Sequence, residues 1–259
     1  MRFVDGIREI VDDYDIFLLD MWGLLHDGSN PYQGVLDAIQ RIKKDKDKKI
    51  IILSNSSKRR DNSERMLTKL GFDLNHFDQI ITSGEVTFQM MQSGFANEDD
   101  KWSKQLLKRN KNNDKTVFVL GSGDSDVEYC MSSGWTVTDI EQAAFVLARG
   151  TFTVCNGDTV VHKIENAEQY EKALDKCLQR AAELQLPMLV ANPDKIRPDA
   201  DRSPMPGEIG DRYQDLVLDQ SWIKRIGKPF ADVYKSAITV SKDRVCMVGD
   251  ALETDVAGG

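Results

Sequence analysis

The stretch IFLLDMWGLLHDG, residues 16–28, opens with four apolar residues that run directly into Asp20. Two later apolar runs end in the same way, one at Ser54 and one at Gly249-Asp250. Unbroken apolar runs, rather than alternating ones, indicate strands that are covered on both faces, as in a parallel sheet. Because ligands bind at the carboxyl ends of such strands, we expect Asp20, Ser54 and Asp250 to lie at one edge of the sheet.

Helical patterns separate these strands. Between the first two strands, apolar residues recur at helical spacing over residues 35–42. A second helical pattern follows Ser54 and closes at Gly71, a residue type that commonly ends helices. The alternation of strand and helix predicts βαβ units and therefore an α/β domain with a parallel sheet.

The middle of the chain carries a second α/β pattern. Strands are predicted at residues 116–120, 145–147 and 188–190, and the clearest helical pattern spans 167–186. The GSGD turn at residues 121–124 is glycine-rich, but we interpret it as the cap of the following helix rather than as a phosphate cradle.

Composition and charge exclude several classes of protein. Of the 259 residues, 41% are hydrophobic and 29% are charged, as in ordinary soluble proteins. The net charge of −8 argues against a nucleic-acid binder, because neutralising phosphates requires a cationic face. The four cysteines and three histidines are scattered, which argues against a zinc site. With no signal-peptide pattern and no membrane-length apolar run, we expect a soluble, cytoplasmic protein that binds no membrane.

The residues at the predicted sheet edge suit a phosphoryl group and a divalent cation. Asp20 and Asp250, with Asp255 just beyond, offer the oxygen ligands that Mg²⁺ prefers. Ser54 and the amides after it can donate hydrogen bonds to phosphate oxygens, and Lys228 can pair with the same negative charge. These groups together favour phosphoryl transfer through a carboxylate nucleophile.

Four segments resemble, in the same order, the four motifs of the haloacid-dehalogenase-like (HAD) hydrolases. They are LLDMWGLLHDG at residues 18–28, ILSNSS at 52–57, IGKPF at 226–230 and MVGDALETDVAGG at 247–259. Four motifs in order are far more specific than any one of them. The resemblance implies a HAD-type, Rossmann-like parallel sheet core with an inserted α/β cap domain.

Two further segments are similar to the NagD-like branch of that family, class IIA, which carries a type-2 cap: ITSGEVTF at residues 81–88 and ANPD at 191–194. The polar, proline-rich stretch over 195–210 is predicted to be a loop that leads out of the cap. The expected domains are a core segment at 1–83, the cap at 84–207 and a second core segment at 208–259. The second core segment is shorter than in relatives, so we expect it to be truncated. A homodimer formed through the cap is a hypothesis that the sequence leaves open.

The resemblance also implies a mechanism and a set of site residues. Asp20 would attack phosphorus, and water would hydrolyse the resulting aspartyl-phosphate. The implied ligands of Mg²⁺ are Asp20, the backbone carbonyl of Trp22, Asp250 and Asp255. The implied phosphate-binding residues are Ser54, Asn55 and Lys228, of which Lys228 also acts in catalysis by stabilising charge. The substrate would be a small phosphorylated metabolite whose identity the sequence does not reveal.

One position departs from the family pattern. Trp22 stands where family phosphatases normally have an aspartate that serves as general acid and base, and an indole cannot transfer protons. A missing acid/base typically lowers the rate by roughly 10²–10⁴. The neighbouring His26 and Asp27 are candidates to replace it.

Three functions therefore stay open. The first is a Mg²⁺-dependent phosphatase, and the second is a metal-independent dehalogenase, since dehalogenases have an aromatic residue at the Trp22 position. The third is a catalytically weak member that binds a phosphorylated ligand or a partner. Asp250 and Asp255 together argue against the dehalogenase, because without a cation they would repel an acidic substrate.

Overall fold

The chain separates into two compact units, as seen in a computed structural model. The described residues are 3–96, 100–109, 114–123, 125–156, 159–197, 202–217, 219–238 and 244–259. Within them, the first unit holds residues 3–83 and 227–259, and the second holds 84–197 and 202–226. None of the described helices is both long enough and apolar enough to cross a membrane.

Strands and helices alternate along the chain. The strands are β1 (Ile16–Leu19), β2 (Lys49–Ser54), β3 (Gln79–Thr82), β4 (Thr116–Gly121), β5 (Thr136–Val137), β6 (Phe145–Ala148), β7 (Thr153–Asn156), β8 (Thr159–His162), β9 (Met188–Val190), β10 (Ile223–Arg225) and β11 (Val245–Val248). The helices are α1 (Val35–Lys44), α2 (Arg60–Lys69), α3 (Ser83–Gln92), α4 (Lys101–Arg109), α5 (Asp126–Ser132), α6 (Ala167–Glu183), α7 (Pro206–Leu216) and α8 (Ala231–Ala237). The predicted α/β fold is confirmed.

The sheet of the first unit has four parallel strands in the order β11-β1-β2-β3. Leu19, the last residue of β1, lies in register between Ile52 of β2 and Val248 of β11. Every residue of β1 is buried, whereas the residues of β11, at the edge of the sheet, are half-buried. Ile39 and Ile42 of α1 belong to the same apolar core. Parallel pairing in this register brings the carboxyl ends of β1, β2 and β11 to one edge.

The sheet of the second unit has seven strands in the order β10-β9-β6-β4-β7-β8, with β5 beside β4. Strand β7 pairs antiparallel with both β4 and β8, and the other pairings are parallel. Four aromatic side chains, with contacting ring centroids 4.9–5.9 Å apart, fill one part of its core: Phe95, Trp102, Trp135 and Phe145.

The structure corrects the predicted end of the inserted domain. The sequence predicts a loop over residues 195–210 and assigns 208–259 to the core, but α7 begins at Pro206, whose fixed φ suits the first turn of a helix. The side chain of Tyr213, on α7, is fully buried in the core of the second unit, and β10 pairs with β9. Residues 208–226 therefore belong to the second unit. Proline-rich composition misleads here because proline also starts helices.

Candidate active site

Three carboxylates and a serine gather at the carboxyl edge of the first sheet. Asp20 follows β1 directly, Ser54 is the last residue of β2, and Asp250 lies two residues beyond β11. One carboxylate oxygen from each of Asp20, Asp250 and Asp255 lies within 4.8 Å of the others. Asp20 and Asp255 are buried, and Asp250 is exposed. An all-oxygen set of this kind fits a hard cation such as Mg²⁺.

Lys228 is buried between two of these carboxylates. Its Nζ donates to Oδ1 of Asp20 at 2.5 Å and to Oδ1 of Asp255 at 2.6 Å, and the lysine is only 2% exposed. One buried ammonium thus faces two buried carboxylates, with Asp250 as a third nearby. Buried charge is costly unless it is paired, so the surplus negative charge favours binding of a further cation.

The acidity of Asp20 reflects this surplus. Burial raises the pKa of Asp20 from 3.8 to about 6, against the lowering effect of Lys228, and the charge of Asp255 raises it further. A bound cation would lower this pKa, because an opposite charge favours the ionised carboxylate. Cation binding would therefore keep Asp20 in the form that can act as a nucleophile.

Asn55 holds the backbone of Lys228 at two points. Its Oδ1 accepts from the Lys228 amide at 2.6 Å, and its Nδ2 donates to the Lys228 carbonyl at 3.2 Å. The side chain is 5% exposed. The sequence predicts that Asn55 binds phosphate, which stays a prediction; its contacts here fix the position of the lysine.

Ser54 is held by residues that follow β2 and β3. Its Oγ accepts from the Ser56 amide at 3.2 Å, and its carbonyl accepts from the Ser83 hydroxyl at 3.2 Å. The Thr82 hydroxyl donates to the Lys58 carbonyl at 2.7 Å, which ties the same loop to the end of β3. Polar residues directly after the apolar residues of β3 are the sequence signal for this support.

Two glycines, which the sequence reasoning overlooked, make room for the carboxylates. A Cβ at Gly249 would collide with the side chain of Asp255, and one at Gly23 would collide with the carboxylate of Asp250. Gly23 also has a φ of +95°, a conformation that favours glycine. The signal in the sequence was that Gly23 directly follows Trp22 and that Gly249 directly precedes Asp250, two of the proposed metal ligands.

Trp22 and His26 pack within the loop that follows β1. The Trp22 ring is half-buried, its centroid is 6.1 Å from that of His26, and a Cβ at Gly28 would lie 3.1 Å from the indole. His26 is fully buried, and its Nδ1 accepts from the Gly28 amide at 2.9 Å. An accepting Nδ1 places the proton of the neutral ring on Nε2. Burial lowers the pKa of His26, which keeps the ring neutral.

Asp27 is exposed and closes its own turn. Its Oδ1 accepts from the Asn30 amide at 2.7 Å and from the Ser29 amide at 2.8 Å. These backbone hydrogen bonds lower the pKa of Asp27, the one from Asn30 most strongly. A carboxyl group with a lowered pKa is a poor proton donor, so Asp27 does not meet the requirement for a general acid.

Comparison with known proteins identifies the family. A family model described as haloacid dehalogenase-like hydrolase matches residues 17–136, and one described as HAD-hydrolase-like matches residues 225–259. Over 259 aligned residues the chain is 26% identical to the 4-nitrophenylphosphatase of Schizosaccharomyces pombe, which covers 96% of this chain and 80% of that protein.

Solved structures share the fold. A haloacid dehalogenase-like hydrolase from Brucella suis 1330 has a TM-score of 0.72 and 24% identity, covering 99% of this chain and 85% of that one. A protein described as a putative nagD protein has a TM-score of 0.65 and 24% identity, and the match covers 96% of this chain and 85% of that one. The second likeness agrees with the NagD-like branch that the sequence resembles. The two matched segments include Asp20, Ser54, Lys228, Asp250 and Asp255, and the chain belongs to the haloacid dehalogenase-like hydrolases.

Proposed function

We propose that the chain is a Mg²⁺-dependent phosphohydrolase that acts on small phosphorylated metabolites through Asp20. The observation that carries the proposal is the charge imbalance around Lys228, a single buried ammonium 2.5 Å and 2.6 Å from two buried carboxylates. A cluster that is short of positive charge suits a divalent cation together with the lysine. The likeness to a relative named 4-nitrophenylphosphatase supports phosphate esters as the substrate class.

The residues that would hold Mg²⁺ are Asp20, the backbone carbonyl of Trp22, Asp250 and Asp255. When bound, the ion supplies positive charge that orients the phosphate and offsets its charge. A carboxylate oxygen of Asp20 attacks phosphorus, and the bond from phosphorus to the leaving oxygen breaks. Lys228 and Ser54 donate to the phosphoryl oxygens, and their main contribution is electrostatic. Asn55 keeps Lys228 in position through the lysine backbone.

Substrate preference follows from the absence of a carboxylic acid at Trp22. A leaving group that receives no proton must depart as an anion. Aryl and acyl phosphates, whose leaving groups are stable anions, should therefore react much faster than sugar phosphates. The slope of log kcat/KM against leaving-group pKa measures this preference, and a flat dependence would mean that another residue donates the proton.

A panel of phosphate esters assayed with Mg²⁺ and with EDTA tests the proposal. We expect turnover that requires Mg²⁺ and that is lost in Asp250→Asn. Glu253→Gln is the matched control, since Glu253 is an exposed carboxylate in the same segment and should behave like the parent. Activity on haloacids that survives EDTA would replace the proposal with the dehalogenase hypothesis. Phosphate binding without turnover would replace it with the weak ligand-binding hypothesis.

A further inference from the structure

Lys228, which donates to Asp20, and Asp255, which shares that lysine, are already engaged with each other. The Lys228 ammonium donates to Asp20 and to Asp255. An ammonium has no lone pair with which to accept a proton. Asp255 is 1% exposed, and its two oxygens accept from Lys228 at 2.6 Å and from the Ala251 amide at 3.1 Å. Both oxygens of this carboxylate are therefore held by donors inside the protein.

The loop after β1 supplies no better base. Nδ1 of His26 is occupied by the Gly28 amide, and its Nε2 carries the ring proton and is itself buried. The carboxylate of Asp27 stays in its own turn with Ser29 and Asn30. An indole, at Trp22, has an N–H donor and no acceptor.

Asp250 is the exposed carboxylate of the site. In the proposed function it is committed to the cation, and its carboxylate lies against Gly23. A carboxylate that binds a cation is a weaker base, because the cation favours the ionised form. None of these six side chains of the first unit is thus arranged to take a proton from water.

The two halves of the reaction differ in their need for such a base. In the first, a bond forms between an Asp20 oxygen and phosphorus, and the leaving oxygen departs with its electron pair as an anion. In the second, a new oxygen bonds to phosphorus, and the bond to Asp20 breaks, which restores the carboxylate. When that oxygen comes from water, a proton must also be removed. When it comes from a carboxylate or a phenolate, no proton moves.

We propose that the phosphoryl group stays on Asp20 after the leaving group has departed, and that it passes to anionic oxygen acceptors faster than to water. The inference rests on the proposed function and adds phosphoryl transfer as an activity. In the first half-reaction an anionic oxygen leaves phosphorus. Attack of an anionic acceptor on the phosphorylated Asp20 is the same step in reverse. Carboxylates and phenolates are therefore the expected class of acceptor.

Rapid mixing of the 259-residue chain with 4-nitrophenyl phosphate and Mg²⁺ tests for the long-lived intermediate. We expect a burst of about one nitrophenolate per protein chain, followed by turnover on the order of 10²-fold slower. In a second arm, acetyl phosphate is the donor and 4-nitrophenolate the acceptor. The nitrophenolate absorbance should then fall as its phosphate ester forms, and Asp20→Asn should show neither effect.

The outcomes separate this inference from the proposed function. Steady turnover without a burst, with inorganic phosphate formed in step with nitrophenolate and no transfer to nitrophenolate, overturns the inference and leaves the phosphohydrolase intact. No turnover of any phosphate ester, or equal turnover in Asp20→Asn, overturns both.

Two variants of Trp22 identify the cause of the slow second step. Trp22→Asp adds a carboxylate beside the phosphoryl group and should abolish the burst by speeding hydrolysis on the order of 10²-fold. Trp22→Phe removes the indole without adding a base and should retain the burst. If both variants lose the burst, the indole itself protects the intermediate and the missing base is not the cause. Thermal unfolding of each variant confirms that it is folded.

Discussion

Each unit of the molecule contains a buried cation held by carboxylate, and the two differ in how their charges balance. Lys228 in the first unit and Arg149 in the second are both 2% exposed. Arg149 directly follows β6 and pairs with Asp126, which is 8% exposed. Lys228 pairs with Asp20 and Asp255. The same elements, a buried cation and buried carboxylates near the ends of parallel strands, therefore occur twice.

The charges of the Arg149 pair balance, with one guanidinium against one carboxylate. Asp126 also accepts from the amides of Ser122 at 3.1 Å and Gly123 at 3.0 Å, and the guanidinium lies 4.3 Å from the ring centroid of Tyr129. The amides that could have cradled a phosphate thus bind a carboxylate of the chain itself. The sequence predicts that the turn at residues 121–124 caps the following helix. In the structure, Asp126 in the first turn of α5 accepts hydrogen bonds from the amides of that turn. Asp124 lies outside the described residues.

The two sites are buried to a similar degree and differ in how their charges balance. Arg149 pairs with one carboxylate, Asp126. Lys228 lies between two, Asp20 and Asp255, and an oxygen of Asp250 lies within 4.8 Å of an oxygen of each. We expect substitutions near Arg149 to act on stability and those near Lys228 to act on activity.

Loss of the Asp20 carboxylate has the largest expected effect. Asp20→Asn removes the attacking oxygen and should lower kcat toward 4-nitrophenyl phosphate by at least on the order of 10⁴-fold. Asp27→Asn, which changes an exposed carboxylate on the same loop, should keep activity close to that of the parent. Near-normal activity in Asp20→Asn would reject its role as nucleophile.

Breaking the balanced pair should destabilise the second unit. Arg149→Met leaves Asp126 buried without its cation and should cost about 3–5 kcal/mol in the free energy of unfolding. Replacing both residues, as Arg149→Met with Asp126→Leu, should recover much of that loss, because no lone charge remains. Urea unfolding of the parent, the single variant and the double variant measures the three free energies of unfolding. Equal losses in the single and double variants would contradict the expected recovery.

The unbalanced cluster should make stability depend on pH. The pKa of Asp20 is raised to about 6 in the folded protein, so between pH 3.8 and 6 the folded state binds more protons than the unfolded state. The free energy of unfolding should therefore fall as pH rises through this window, by on the order of 1–3 kcal/mol. Other carboxylates titrate here too, so the Asp20 contribution is the difference between the parent and Asp20→Asn. Identical pH profiles would contradict this account.

Gly23 offers a smaller and more local test. Gly23→Ala would push a methyl group against the Asp250 carboxylate and should weaken Mg²⁺ binding by roughly 10–100-fold. Gly34→Ala is the matched control, since Gly34 also has a positive φ, +80°, but has open space around its Cβ position. Both variants share the backbone strain. Only a difference between them in Mg²⁺ affinity reports on Asp250, and equal affinities would reject its role.

Apolar runs predicted the central part of the fold well. The run over residues 16–19 is β1, and the strand it predicts pairs in parallel with β2 and β11. Residues 208–226 were misassigned because a short apolar run does not specify which sheet it joins. Pairing of β10 with β9 depends on contacts between distant parts of the chain, which no local pattern encodes.

Residue types in the candidate site were easier to predict than their contacts. The motifs single out Asp20, Lys228 and Asp255, but no sequence pattern indicates that Lys228 donates to both carboxylates. The two hydrogen bonds of Asn55 to the Lys228 backbone join residues 173 positions apart. A contact of that range follows from the fold and not from any spacing. The surroundings of His26 and Asp27 were equally hidden from the sequence.

Calorimetric titration with Mg²⁺ tests most directly the central claim, that the carboxylate cluster around Lys228 binds a divalent cation. The parent should bind Mg²⁺ in the titration. Its thermal unfolding temperature should also rise with Mg²⁺ concentration, because an ion that binds the folded state stabilises it by mass action. Asp250→Asn should lose this response, and Arg149→Met, although less stable, should keep it. Absence of Mg²⁺ binding in the parent, together with phosphatase activity that survives EDTA, would contradict the account.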